Sequence, residues 1–512
     1  MLTPEFNVNS SNVTVSGSEI VSKYEYHTQH VETTADGQVT IVPECKQFEF
    51  KTNTKVPRTG VLIVGLGGNN GSTLTAGVIA NRKKLTWESK RGRESANYIG
   101  SLTQCATTYL GDDVKTGKEI VAPFKALLPM VDPNDLVIGG WDISKADMYE
   151  ATVRAYVHEP TMYHQIEAEL RAIKPLPAVF DLSFVAPNQK DRADNVLQGT
   201  KKEVLDQVRE QIRNFRSQNN LEQVIVLWSA NTERYCEVTD GVHDTAQNLL
   251  KGIDEGHPEI SPSIIYAVAS ILEGVPYING SPQNTFVPGL VELAVQHKVP
   301  IMGDDFKTGQ TKIKTVISDF LISSGLKLTA IASYNHLGNN DGLNLSFESC
   351  FRSKQISKSS VIDDMVRLNP ILYKEGEHPD HIVVIKYVPS VGDSKRALDE
   401  YDSDIFCGGK NIISVHNTCE DSLLAAPLML DLVVLMELFT RVTIKSGDMK
   451  DFQSMHQVYS VLSFLLKAPR VPPGTPVINS LFQQRACLEN ILRACRGLQP
   501  INHMHLEYKM PQ

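Results

Sequence analysis

Between residues 303 and 395 of this 512-residue chain, lysines and acids recur at spacings suited to holding phosphate and moving protons. The segment GDDFKTGQTK puts Asp304, Asp305, Lys307, Thr308, Gln310 and Lys312 on a loop expected to enter a helix near Thr311. Thr308, Gly309 and Gln310 at a helix N-terminus, with ammonium groups alongside, suit a phosphate. In FRSKQISKSS, Lys354 and Lys358 are four residues apart and share a face if the segment is helical. Such a pair can bind phosphate, and mutual repulsion lowers the pKa of either lysine toward acid/base use. A solvated basic face has the same spacing. Asp393 and Lys395 follow the apolar stretch 381–388, read as a buried strand. A second Asn-Asn cluster, in HLGNNDG, follows the strand-like LTAIASYN, and Lys467 precedes a turn rich in proline. His416 in SVHNTCEDS stands alone, the usual setting of a structural histidine.

These groups need a scaffold, and its clearest element is residues 61–73, VLIVGLGGNNGST. Four apolar residues predict a buried strand, glycines a turn, and the residues from Ser72 onward a helix. Strand, glycine turn and helix bring backbone N–H groups to a pyrophosphate. Gly65 and Gly67 fill the first two places of a GxGxxG fingerprint, while Asn70 holds the third and Gly71 comes one residue late. A turn whose glycines serve only close packing is the alternative. Asn69 and Asn70 favour a ligand, because both tolerate left-handed backbone and carry hydrogen-bonding amides. Residues 135–142 form a second short strand ending in Asp142, an acid placed to accept from a ribose diol or to cap a helix beginning at Ile143. Glu88 lies nearer the usual fingerprint spacing, with no clean strand before it. A helix is expected over 201–216 and a buried strand over 224–231, with Ser229, Ala230, Asn231 and Thr232 at its C-terminal end, where open α/β sheets bind ligands. Residues 87–128 look polar and irregular, 1–56 strand-forming, and 485–496 helical.

The length calls for two or three domains. With 50 Lys and Arg against 59 Asp and Glu, the acidic balance argues against nucleic acid or an anionic membrane as partner. Eight scattered cysteines, without CxxC or zinc spacing, point to reduced thiols in a cytoplasmic protein and to no metal site. The N-terminus carries no secretory pattern, and the apolar run 423–439, broken by Pro427, Asp431 and Glu437, reads as a buried helix. Ser-His-Asp order, HExxH and Walker motifs are absent, which leaves hydrolase and NTPase readings without a motif.

GLGGNNGST, LWSANTERY, NGSPQNTFVPGL, GDDFKTGQTK, SYNHLGNNDGLNLS, FRSKQISKSSVIDDM, VGDSKRALDEY and HNTCEDSLLAAP, in this order, are together very similar to the eukaryotic inositol-3-phosphate synthase (myo-inositol-1-phosphate synthase) family. The resemblance implies an α/β chain, with an NAD-binding Rossmann domain and an inserted α+β catalytic and tetramerisation domain. Carried over, the Rossmann part covers about 57–311 and returns over 424–486, and the insertion covers 312–423. Segments 1–56 and 487–512 form a central region. The implied reaction turns D-glucose 6-phosphate into 1D-myo-inositol 3-phosphate by oxidation at C5, enolisation, aldol closure and re-reduction, with NAD held and regenerated. A sugar-phosphate dehydrogenase releasing NADH and a nucleotide-sensing regulator are the competing functions. The family also implies a homotetramer and an activating monovalent cation such as ammonium or potassium.

By position in the family motifs, Lys354, Lys395 and Lys467 resemble the acid/base and electrophilic lysines, and Asp305, Asp341 and Asp393 the acids that orient them. Lys307, Lys358, Thr308, Gly309, Asn339 and Asn340 resemble phosphate and sugar ligands. Gly65, Gly67, Gly68, Asn69, Asn70, Gly71, Asp142, Ser229, Ala230, Asn231, Thr232 and Asp421 resemble the NAD site. Two places depart from the family pattern. Thr308 replaces a common serine and keeps its hydroxyl, and Phe347, Glu348, Ser349 and Cys350 stand where Ser-Ala-Pro is usual before Phe351.

Overall fold

A computed structural model describes residues 1–511; Gln512, last residue of the expected C-terminal segment, lies outside them. Its central sheet has six parallel strands, in spatial order Leu176–Pro177, Val137–Asp142, Thr59–Val64, Gln223–Trp228, Tyr277–Asn279 and Ile301–Met302. In chain order this is 3-2-1-4-5-6, the doubly wound Rossmann arrangement. Every residue of Thr59–Val64 is buried, as a strand covered on both faces requires. The order reverses between Thr59–Val64 and Gln223–Trp228, so their C-terminal ends border a crevice at the glycine turn.

A second sheet follows the first along the chain, in the order Asp380–Tyr387, Lys327–Leu337, Ser394–Ile405 and Gly409–Glu420. The first pair is parallel and the others antiparallel. Along Ser394–Ile405 the buried residues alternate (Ala397, Asp399, Tyr401, Ser403), which gives the sheet one inner face. The helices Gly309–Ser323 and Glu348–Ser359 carry its lysines.

The long helix Asp421–Thr440 has the length and apolarity of a membrane span, yet 16 of its 20 residues are buried inside the fold. Asp431, on that helix, accepts from the Ser101 hydroxyl at 2.7 Å and from the backbone N–H groups of Leu102 and Thr103. A buried acid is thereby satisfied and fastens the helix to the segment 101–103. Val442–Ser446 and Gln453–Ser454 extend the antiparallel sheet of the N-terminal hairpin, Glu19–Thr33 and Val39–Asn53. Within 424–486, Val458 forms a parallel bridge with Ile301 of the parallel sheet's last strand.

Two expectations change, and one element is added. The stretch 87–128 holds two hairpins, Thr86–Ser89 with Gly92–Ser95 and Thr107–Asp112 with Glu119–Pro123, whose polar residues hide the strand alternation. Residues 381–388 are only half-buried, because Asp380–Tyr387 is an edge strand with one face outward. SVHNTCE, for which the sequence pattern indicated no element, is the end of the strand Gly409–Glu420.

Candidate active site

The glycine turn opens the cavity. Gly65 has φ of +86°, and a Cβ there would stand 2.6 Å from Ala230 Cα, so the two strand ends meet only with glycine. The helix begins at Asn69, earlier than expected, after Gly68 in extended conformation. No side chain caps it, so the first-turn N–H groups at Asn69 and Asn70 face the cavity unpaired by a cap. Gly71 packs inside the turn, where a Cβ would lie 2.3 Å from Leu66 O.

Asp142 caps no helix: the next long one, Met148–Ala155, has its own capping box from Asp147. Instead, Asp142 Oδ2 accepts from Gly67 N at 2.8 Å and Oδ1 from Ser144 N at 2.9 Å. Burial raises its carboxyl above the ordinary range, against the hydrogen bonds and the nearby Arg192 and Arg154. Arg154 donates to Gly67 O at 2.7 Å, so acid and guanidinium fix both sides of one glycine. An uncapped helix start, a cradle that a Cβ would fill and a buried acid at the adjacent strand end fit a dinucleotide.

On the opposite wall, the helix Glu348–Ser359 buries Ser353, Ser357 and Lys358, which rules out a solvated basic face. Lys354 Nζ donates to Asp305 Oδ1 at 2.9 Å and Lys467 Nζ to the same oxygen at 3.3 Å, while Ser357 Oγ donates to Oδ2 at 2.8 Å. Burial opposes charge on Asp305, but the two ammonium groups outweigh it and hold the carboxyl well below its usual range. Lys354 is raised: burial disfavours its charge, and Asp305 followed by Asp341 overcomes that. Lys467 is pulled down to about 7, chiefly by burial, which Asp305 only partly offsets. Lys358 donates to Gln310 Oε1 at 3.1 Å and lies far below the ordinary lysine range, through burial and then Lys395, Lys467, Lys314 and Lys354. Lys395 pairs with Asp421 at 3.4 Å, and Lys395, Lys467 and Lys354 keep Asp421 ionised despite its burial. The cluster thus offers one firm acid, one group near neutrality and one amine that favours the uncharged form.

Two clasps join this wall to the Rossmann domain. Asp341 accepts from Thr232 N at 2.9 Å, and Asn340 Nδ2 donates to Asn231 Oδ1 and Gln189 Oε1, both at 3.0 Å. Asn339 caps the short helix Asn340–Asn344 through Gly342 N. On the other side, Asn69 Nδ2 donates to Asp393 Oδ1 at 3.2 Å, and Asp393 also accepts from Ser422 N and Oγ, both at 2.8 Å. Burial and then Asp421 raise the Asp393 carboxyl.

One cavity is lined by Gly65, Gly68, Asn69, Asn70, Asp142, Ser229, Ala230, Asn231, Asp305, Thr308, Asn339, Asn340, Asp341, Lys354, Lys358, Lys395, Asp421 and Lys467. Gly67, Gly71, Thr232 and Gly309 are chain neighbours of lining residues, and Asp393 is hydrogen-bonded to one, Asn69. Lys307 stands apart. Its ammonium donates to Asn479 O at 3.0 Å and Gln484 Oε1 at 2.9 Å, away from the cavity, and burial brings it to about 7. Thr308 is the N-cap of Gly309–Ser323 and leaves that helix start without a side-chain cap. Gln189, Arg192 and Glu233 also line the cavity and were not expected. Glu233 was the most accessible to sequence reasoning, as an acid beside a strand end. It is buried, pushed up to about 7 by that burial, and accepts from Ser263 Oγ at 2.6 Å and Ser263 N at 3.1 Å.

A sequence profile described as myo-inositol-1-phosphate synthase matches residues 59–493. The chain belongs to that family. Inositol-3-phosphate synthase 1 of Oryza sativa subsp. japonica is 56% identical over 511 residues, covering 99% of this chain and all of the relative. Inositol-3-phosphate synthase of Dictyostelium discoideum is 55% identical, over 99% of this chain and 98% of its own. The crystal structure of inositol-3-phosphate synthase from Caenorhabditis elegans superposes with a TM-score of 0.97 at 51% identity, covering 99% of both chains. A myo-inositol-1-phosphate synthase-related protein of Thermotoga maritima, at 20% identity and a TM-score of 0.60, shares the fold. Membership in the synthase family makes the chain an NAD-binding enzyme. The glycine turn and the lysine cluster line one cavity of that enzyme.

Proposed function

We propose that this chain converts D-glucose 6-phosphate into 1D-myo-inositol 3-phosphate, and that the cavity described above is where it does so. The observation that carries the reading is the joint hold of Lys354 and Lys467 on Asp305, facing a cavity whose other wall is the glycine turn. When bound, NAD supplies reversible hydride exchange with substrate carbon C5. Gly65, Gly68, Asn69, Asn70, Asp142, Ser229, Ala230, Asn231 and Asp421 would hold it, with Gly67, Gly71 and Thr232 shaping the turn and strand end behind them.

The residues of this chain provide the rest. Lys358, Thr308 and the open helix start at Gly309 hold the phosphate, and Asn339 and Asn340 take sugar hydroxyls. Lys467, with a pKa of about 7, accepts the C6 proton once C5 is a ketone. Lys354, firmly protonated beside Asp305, donates to the oxygen that gains charge as C6 attacks the C1 aldehyde. Lys395, paired with Asp421, stabilises the enolate oxygen, while Asp341 and Asp393 lock the two walls together. Burial of the amines excludes the water that would quench an enolate.

The same reading includes the domain limits taken from the family motifs, a cytoplasmic location, activation by ammonium or potassium, and a homotetramer. The outward face of the second sheet supports tetramerisation, because Tyr334, Ile382, Leu398 and Ile412 are each at least 43% exposed along it.

The test is incubation with glucose 6-phosphate and trace NAD. Inositol phosphate without accumulating NADH supports the proposal, stoichiometric NADH identifies a dehydrogenase, and neither product leaves a non-enzymatic regulator. Lys354→Ala should abolish turnover while NAD still binds; normal turnover in that variant would remove Lys354 from the mechanism.

A further inference from the structure

Behind the lysine wall lies a buried polar group that the mechanism above does not use. Gln310, one residue into the helix Gly309–Ser323, donates from Nε2 to Asp399 Oδ1 at 2.7 Å and accepts at Oε1 from Lys358 Nζ at 3.1 Å. Asp399 sits on the inner face of Ser394–Ile405, the strand that also carries Lys395, and Tyr401 OH donates to its second oxygen at 3.3 Å. Gln310 is 5% exposed and Asp399 4%. One turn along the helix, Lys314 Nζ lies 2.7 Å from His381 Nε2 on Asp380–Tyr387, which Lys327–Leu337 separates from the strand of Asp399.

We propose that Asp399 is a positioning residue for the lysine centre, which it serves by fixing the orientation of the Gln310 amide. The reasoning is one of donors and acceptors. An amide can present either its oxygen or its NH2 to a neighbour, and the two ends look alike in shape. An ionised carboxylate can only accept, so the end facing Asp399 is NH2 and the end facing Lys358 is the carbonyl. Lys358 is thereby met by an acceptor and commits an N–H to it, which aims its remaining bonds at the cavity. Were the amide free to flip, two donors would face each other whenever Lys358 carried its proton, and the ammonium would turn away or lose that proton. Tyr401 holds the second carboxylate oxygen, so Asp399 cannot rotate out of this duty. The groups facing Asp399 are therefore Tyr401 on its own strand, Gln310 and Lys314 on the helix, and beyond them His381 and Lys358.

The proposal rests on the reading of Lys358 as a phosphate-holding amine, and its test is separable from that reading. The full chain with bound NAD is assayed for glucose 6-phosphate turnover as wild type, Asp399→Asn, Gln310→Leu and the double variant. Wild-type turnover tests the reading. The coupling tests the proposal: Asp399→Asn should lower kcat by about tenfold in the native background and leave it unchanged once Gln310 is leucine. In Asp399→Asn the alkaline limb of the kcat profile, measured with the sugar phosphate bound, should also move to lower pH. The Lys358 ammonium, whose charge burial and then Lys395, Lys467, Lys314 and Lys354 oppose, loses its proton sooner without its acceptor. Should Asp399→Asn fail to fold, Tyr401→Phe, which frees one carboxylate oxygen, should show a smaller loss that again vanishes with Gln310→Leu. Equal losses with and without Gln310, or an unmoved pH profile, would overturn the assignment.

Discussion

Asp305→Asn isolates the electrostatics of the lysine centre, since it keeps the shape of the side chain and removes only its charge. Asp305 Oδ1 lies 2.9 Å from Lys354 Nζ and 3.3 Å from Lys467 Nζ, with all three groups buried. At an effective dielectric of about 20 each contact amounts to roughly 5 kcal/mol of Coulomb energy before desolvation. Breaking a buried pair on one side costs about 3–5 kcal/mol when the remaining charge persists. The lysines avoid part of that cost by shedding protons, so a stability loss of about 3 kcal/mol is expected, with a fall in kcat/KM of at least about a hundredfold. The pH dependence has a definite sign. In the native chain Asp305 lies below the usual carboxylate range, so its contribution is fully present above the unfolded carboxylate pKa. It fades only as pH falls through the depressed folded value. Lys354 is raised, so its contribution is present below the unfolded lysine pKa and lost as pH rises through the higher folded value. In the variant both amines lose the carboxylate that favours their charge, so burial pushes each lower. Stability should then climb with rising pH above neutrality more steeply than in the native chain, where Lys467 at about 7 already gives part of that slope. Urea unfolding across that range, beside turnover measurements, checks both halves. If the variant's stability follows the wild-type pH slope, Asp305 is not what sets the charge of these lysines.

Two further outcomes follow from the same geometry. Lys307→Met removes the donors to Asn479 O and Gln484 Oε1 and should cost about 1–3 kcal/mol of stability while KM for the sugar phosphate changes little; a selective rise in KM would return Lys307 to the substrate site. The pH profile of kcat/KM should bend near 7 through Lys467, whose proton must be absent for it to act as base, and a profile flat across neutrality would contradict that role.

The glycine turn and the strands Thr59–Val64 and Gln223–Trp228 were legible because a strand buried on both faces writes an unbroken apolar run, and because Gly65 must be glycine against Ala230, whereas Leu176–Pro177, Tyr277–Asn279 and Ile301–Met302 are too short to write one. The hairpins within 87–128 were not, since small solvent-facing strands carry no such run. Among the site residues, the limit was burial. Lys307 and Lys354 are both lysines in suggestive motifs, yet one is aimed at Asn479 and Gln484 and the other at Asp305. The difference arises from partners up to 177 residues away in the chain, and no local spacing records it. The place of Gln189 and Arg192 in the cavity wall was hidden for the same reason, because they lie on the short 3-10 helix Pro187–Arg192 and reach the cavity only through the fold.

The charges around the lysine cluster, one part of a cavity that Asp142, Asp181, Glu233 and Arg192 also line, are unbalanced in a way that bears on the proposed reaction. Lys354, Lys358, Lys395 and Lys467 face three acids, Asp305, Asp341 and Asp421, and Lys358 has a neutral amide as its hydrogen-bond partner among the described residues. Four ammonium groups cannot all persist in so buried a site, which is why Lys358 and Lys467 are pulled down while Lys354, closest to a carboxylate, is raised. On the function proposed above, a phosphate dianion entering beside Lys358 would supply the missing negative charge and draw a proton onto that amine. Occupancy and protonation are therefore linked. A substrate lacking the phosphate leaves Lys358 uncharged and the acid/base pair Lys354 and Lys467 in a different field. The selectivity for a phosphorylated sugar then resides in the ionisation of the catalytic lysines as well as in the contacts to the phosphate itself.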